Sequence, residues 1–306
     1  MRRLTRRLRI AGLLPFALAA LLLFHPGARA QAIVNNDETL TSGRPEAWAM
    51  NYVAASTLMT AFGEAPALAA WHWRGALDLG HVPRLSESQQ RVGLGGVKQE
   101  DLNRSPVFGR LRLMLGLPGG FVADLGYTPP LSINNTRPRD LFAFAVGRRV
   151  FERDSFIVSI RAFGQHGRAQ GDITCPARLA GADLEANPFG CRAPSDDQIV
   201  LNYYGLDATS VWSAGPWHAH ASVGAARTEL VAKVDALTFD VRDRSRLVAR
   251  GSWPFAAMGA SRDLDPRWNL GVEVLYVPLR VQRDPASASR NEPLTSLRMR
   301  LLYRFD

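Results

Sequence analysis

The segment Leu297-Arg298-Met299-Arg300-Leu301-Leu302-Tyr303-Arg304-Phe305-Asp306 decides the reading of this chain. Apolar side chains stand at 297, 299, 301, 303 and 305, arginines stand at 298, 300 and 304, and Leu302 alone breaks the alternation. A period of two is the period of a β-strand, so one face is apolar and the other is charged. A soluble sheet would turn the apolar face to a core and the arginines to water. A barrel in a membrane reverses the direction, with the apolar face on lipid and the charged face in the lumen.

The other end of the chain bears on that choice. Arg2, Arg3, Arg6, Arg7 and Arg9 form a basic start, and Ile10 to Phe24 is a mostly apolar run. That run of roughly 15 residues has the length of a signal-peptide core and is short for a transmembrane helix. Ala28-Arg29-Ala30 is a small-residue cleavage motif, so residues 1–30 read as a signal peptide and the exported chain is expected to begin at Gln31. The formal charge of +9 includes six arginines in residues 1–30 and no acid there, which leaves +3 for the remainder. No lysine-rich tail, zinc-finger spacing or RNA-binding signature is present, so no nucleic-acid partner is expected. No cofactor motif is found either. The cysteines, Cys175 and Cys191, fall in one polar loop of an exported chain and are expected to form a disulfide.

Residues 31–66 read as an N-terminal segment carrying one amphipathic helix at 45–62. Pro45 suits the first helical position, Glu46 the first turn and Gly63 the stop. Trp48, Tyr52, Ala55, Met59 and Phe62 form a stripe at spacings of three and four. Such a helix would either cap the periplasmic mouth of a barrel or plug its lumen. A first strand through 52–62 is the structural alternative.

Residues 67–306 read as hairpins. Trp71, Trp73, Leu77 and Leu79 alternate with His72, Arg74 and Asp78; Leu111, Leu113 and Leu115 alternate with Arg110 and Arg112. Trp217, Ala219, Ala221 and Val223 alternate with His218, His220 and Ser222, and Trp268, Leu270, Val272 and Val274 with Asn269 and Glu273. About ten strands result, with twelve as the upper possibility. Short turns (63–67, 118–120, 152–155, 213–216, 262–267) alternate with long polar loops (84–106, 129–140, 171–198, 231–244, 281–293). Trp71, Trp73, Phe121, Phe151, Phe156, Trp212, Trp217, Trp268 and Phe305 all lie near the short turns, where a membrane interface would place them.

The aromatic-ended terminal strand, the alternating loop lengths and the aromatic clustering resemble those of bacterial outer-membrane β-barrel proteins. Asp306 follows the aromatic that usually comes last in that pattern. The resemblance implies an all-β fold, an antiparallel transmembrane β-barrel, with both termini in the periplasm. It also implies outer-membrane lipid and the barrel-assembly machinery, met through the C-terminal strand, as partners. It identifies no subfamily and fixes no oligomeric state. The helix ahead of the barrel is similar to the N-terminal plug of long-chain fatty-acid transporters, which have more strands.

Inward positions are expected to carry His72, Arg74, Asp78, Arg110, Arg112, Asp124, Arg161, Asp207, Arg250, Glu273, Arg298 and Arg300. In a narrow barrel such charges must pair, because an unpaired buried ion costs several kcal/mol; a charge network in the lumen follows. His218, His220 and Ser222 form the one row with catalytic or metal-binding side chains, but successive members lie about 7 Å apart along a strand. Nothing here indicates catalysis. The expected role is structural, surface-binding or passive transport. A gated transporter or porin for small or hydrophobic solutes is one alternative, and a lipid-modifying hydrolase is another.

Overall fold

The computed structural model describes residues 32–63, 68–284 and 286–305. The expected signal peptide lies outside the described residues. Ten long strands form one closed ring. They are β1 (Trp73–His81), β2 (Val107–Leu117), β3 (Phe121–Thr128), β4 (Arg137–Arg153), β5 (Phe156–Gly171), β6 (Asp197–Ala214), β7 (Trp217–Lys233), β8 (Arg246–Asp263), β9 (Trp268–Val277) and β10 (Leu294–Arg304). Each pairs antiparallel with its sequence neighbours, and β10 closes the ring on β1 from Arg298↔Gly80 to Arg304↔Arg74. Closure pairs every one of the ten strands on both sides over at least part of its length.

Local chemistry sets the turns. At 215–216 a two-residue hairpin loop joins Ala214 to its partner Trp217. Gly215 there has φ +58, and Pro216 fixes the next φ as a type II′ loop requires. The alternation sets the faces. Leu113, Val272 and Leu301 are 41, 44 and 38% exposed, whereas Arg112, Glu273 and Arg300 are 4, 1 and 2% exposed. The barrel therefore turns its apolar side outward, the reverse of a soluble fold. The nine aromatics near the short turns are all exposed.

The helix α1 spans Pro45–Ser56 and is buried on nearly every side. Trp48, Tyr52, Leu58 and Met59 share one apolar cluster with Phe163, Tyr203, Trp253 and Phe255, inward residues of β5, β6 and β8. A helix that is covered all round is a core helix. The chain continues as an irregular segment, 57–63, where a longer helix, 45–62, was expected. Its carbonyls are taken by barrel side chains, described below, and Phe62 and Gly63 adopt φ of +57 and +70.

The direction of this segment corrects the expectation that both ends of the mature chain share the short-turn side. Asp37–Leu40 pairs parallel with Arg246–Ala249, at the long-loop end of β8. Glu46 accepts a 2.6 Å hydrogen bond from the Gly95 N–H, and Tyr52 donates to the Pro83 carbonyl, both in the loop between β1 and β2. Gly63 lies against His220, and Trp71 hydrogen-bonds Gly116 beside the short turn after β2. Residues 37–63 thus enter at the long-loop end and run down the lumen. Arg250 is a second correction: it faces outward and pairs with Glu229 across β7 and β8 at 2.9 Å, because its position in β8 falls on the outer face of the strand.

The long loops build a cover at their end of the barrel. Cys175 and Cys191 form the disulfide, with Cα atoms 5.6 Å apart. In the chain-entropy account, closing a loop of this length stabilises by ~3 kcal/mol.

Candidate functional site

The inward charges meet at the level of residues 55–61. Asp78 accepts from Arg300 at 2.7 and 2.9 Å and from Arg112 at 3.0 Å. Arg112 also pairs with Asp124, and Arg161 donates to Asp207 at 3.1 and 2.6 Å. Arg110 donates to Gln165 at 2.5 Å. Inward glycines make room for these long side chains: a Cβ on Gly126 would stand 2.7 Å from Arg110 Cδ, and one on Gly147 2.7 Å from Arg161 Cγ. Arg74 is half-buried on the same face of β1, nearer the short turns.

The arginines also hold the lumen segment by its backbone. Arg298 donates to the carbonyls of Ala55, Ser56 and Leu58. The Thr57 carbonyl accepts from Arg110 and from the Tyr203 hydroxyl, both at 2.9 Å. Met59, Thr60 and Ala61 carbonyls accept from Arg161, Arg112 and Arg300 at 2.9, 3.0 and 3.2 Å. Seven consecutive carbonyls, from 55 to 61, are thereby satisfied by the barrel wall. Two of them belong to the C-terminal turn of α1, where the helix dipole favours cations. Arg110, Arg112, Arg161, Arg298 and Arg300 outnumber Asp78, Asp124, Asp207 and Glu273 by one, and these carbonyl dipoles offset the surplus. The network expected from the sequence therefore has a second partner that period-two reasoning did not reveal. No local signal marked it, because residues 57–61 read as a continuation of the helical stripe.

His218, His220 and Ser222 do not form one site. Ser222 bonds Thr209 across the β6–β7 ladder at 2.8 Å. His220 Nε2 lies 3.3 Å from Glu273 Oε2, and Thr60 donates to the other Glu273 oxygen at 2.6 Å. His218 turns instead to Ser213 and Asp263 at the short-turn mouth. Asp207, on the strand beside this row, is occupied by Arg161. Among the described residues no cluster of three or more metal-ligating side chains occurs.

A cavity of about 590 Å³ lies beside α1 toward the long loops. Met50, Val53 and Leu201 line it from inside the barrel, and Leu77, Leu79 and Leu111 from the outer face of β1 and β2. The wall is incomplete there. The β2–β3 ladder ends at Leu111↔Tyr127, four residues short of the β2 terminus, while Val107–Arg110 pair only with β1. Loop residues Leu131 and Ile133 also line the cavity.

No protein-family profile matches the sequence, and no curated protein matches it. Solved structures similar to it include Neisserial surface protein A, at 9% identity over 76% of this chain and 97% of that one, with a TM-score of 0.30. The translocator domain of autotransporter NalP from Neisseria meningitidis is 14% identical over 76% of this chain and 88% of its own, TM-score 0.39. A FadL homologue from Pseudomonas aeruginosa is 12% identical over 90% and 81%, TM-score 0.33. The closed ten-stranded antiparallel ring with an apolar exterior is the architecture of a bacterial outer-membrane β-barrel.

Proposed function

We propose that this protein resides in the outer membrane of a Gram-negative bacterium and binds a small apolar molecule at the extracellular end of a plugged barrel. The outward apolar band and the aromatic rings at the short-turn end support the location, with short turns facing the periplasm. The signal-peptide reading of residues 1–30 agrees with export. A freely conducting porin is disfavoured, because α1 and residues 57–62 are buried between the inward faces of the strands.

The cavity carries the functional reading. A space of about 590 Å³ is within the range of small-molecule sites. Its lining combines inward Met50, Val53 and Leu201 with outward Leu77, Leu79 and Leu111, so an apolar solute reaches it without crossing the charged lumen. The gap beyond Leu111↔Tyr127 is the route to the outer face. Passage onward toward the periplasm requires the clasped segment to yield, which makes the reading that of a gated carrier of hydrophobic solutes.

The test is saturable binding of a fluorescent alkyl-chain probe to the full protein in phospholipid nanodiscs. Binding is expected for the native chain and is expected to fall at least about tenfold for Val53→Trp, which fills the cavity from the helix side; tenfold corresponds to about 1.4 kcal/mol. Equal binding by both proteins would reject the cavity as the site.

A further inference from the structure

Ser213, His218 and Asp263 form a hydrogen-bonded relay that the lumen network does not use. Ser213 and His218 are directly opposed across the β6–β7 ladder, beside the Gly215-Pro216 turn. His218 is in turn opposed by Ser261 on β8, and Asp263 stands two residues further on the same inward face. Ser213 Oγ lies 2.8 Å from His218 Nδ1, and His218 Nε2 lies 3.1 Å from Asp263 Oδ2; a carboxylate only accepts, so Nε2 carries the proton of a neutral imidazole and Nδ1 accepts from the serine. The remaining Asp263 oxygen accepts from Asn269 Nδ2 at 2.9 Å and Arg304 Nη2 at 2.7 Å. Asp263 is therefore fixed from β9 and β10, and it fixes the imidazole in the tautomer whose free lone pair points at the serine.

This is the arrangement by which a general base activates a serine. The cluster is also reachable. The side chains of His218 and Asp263 are 24 and 29% exposed at the short-turn mouth, whereas those of His220 and Glu273 are both 0% exposed. With its proton directed at the imidazole, the Ser213 oxygen keeps its lone pairs at this half-open mouth.

We propose that Ser213, His218 and Asp263 are a hydrolytic site for carboxylic acyl esters that enter from the periplasmic end, with Ser213 as nucleophile, His218 as general base and Asp263 as the residue that positions it. Ser213 Oγ attacks the ester carbonyl as its proton passes to His218 Nδ1. The carbon–oxygen bond to the alcohol breaks, and the departing alcohol takes that proton. Water then attacks the acyl-serine, gives a proton to His218, and releases the carboxylic acid as Ser213 recovers the proton. No oxidant or second substrate is involved beyond water.

The test is covalent labelling of the full protein in detergent micelles by a fluorophosphonate, followed by peptide mass spectrometry. The Ser213 oxygen is expected to displace fluoride from phosphorus and to carry the phosphonyl group. His218→Gln is expected to slow labelling by about 100-fold or more, and Ser222→Ala to leave it unchanged. Turnover of p-nitrophenyl butyrate is expected to fall in parallel in Ser213→Ala. Asp263→Asn is read by the pH profile of labelling, with the loss largest near neutrality and Asp263→Glu restoring part of the rate. Heat-modified gel mobility reports folding of each variant separately. A native protein that forms no adduct, or whose adduct lies on another serine, overturns the proposal.

Discussion

At the scale of the residue, the decisive group is the buried arginine. Arg112 joins Asp78, Asp124 and the Thr60 carbonyl. Arg112→Leu leaves a carboxylate without its main partner in a dry interior and is expected to cost ~3–5 kcal/mol. The double variant Arg112→Leu/Asp124→Leu is expected to recover part of that loss, because both buried charges go together. Urea unfolding in lipid vesicles measures both. Glu100 gives a second prediction, in the long-loop cover. Lys98 donates to it at 2.9 and 3.0 Å, yet burial outweighs that pairing and pushes its carboxyl up to about 7 from 4.5. A raised carboxyl pKa means the folded loop holds a proton that the unfolded loop releases. The stabilisation is complete below the unfolded value and is lost as pH rises through the interval from 4.5 to about 7. Protease cleavage within residues 82–106 is thus expected to be slower at about pH 5 than at about pH 8, after correction for protease activity, and Glu100→Gln is expected to flatten the difference.

At the scale of the element, β10 carries the most information. Its apolar positions were legible as a face from their spacing alone, and its inward arginines as the opposite face. Which partners those arginines take was not legible, since Asp78 is 222 residues from Arg300 in sequence. Deleting Tyr303 to Asp306 removes the pairs Trp268↔Tyr303, Tyr303↔Gly75 and Arg304↔Arg74. Barrel closure at the short-turn end is lost, and poor recovery of heat-modifiable, membrane-inserted protein is expected. Val272→Arg places a charge on the outer face and is expected to cost ~2–4 kcal/mol near the midplane, whereas Val272→Leu is expected to be nearly neutral. A helix shorter than its hydrophobic stripe is the other lesson at this scale. Ala55, Met59 and Phe62 suggested continuous helix, but arginines from three strands, β2, β5 and β10, compete for the carbonyls that further helical turns would use.

At the scale of the whole molecule, the interior is one assembly of helix, clasped segment and wall. Planar-bilayer recordings are expected to show little conductance for the native chain. Removal of residues 45–62 is expected to give an open, ion-conducting lumen, with its arginines exposed to water and a preference for anions. A deletion variant that folds and stays closed would show that the long-loop cover, with its Cys175–Cys191 disulfide, seals the barrel without the segment. The same view separates two ends of different character: an apolar cavity near the long loops and a polar relay, Ser213–His218–Asp263, near the short turns.

The sequence by itself determined the strands, their inward and outward faces except at Arg250, the alternation of short and long connections, and the disulfide. These follow from period-two patterning, turn chemistry and composition, which are local and repeat from hairpin to hairpin. Only the tertiary structure decided what the inward side chains do. His218 and Asp263 are 45 residues apart and meet because β7 and β8 are neighbours in register. The row His218, His220 and Ser222, which looks like one group along the strand, divides among Asp263, Glu273 and Thr209. The direction of residues 37–63 through the lumen is likewise set by closure. A stripe of apolar residues says that a helix is buried, but the polarity of its entry depends on where ring arginines can reach its last carbonyls, and that is a property of ten strands together.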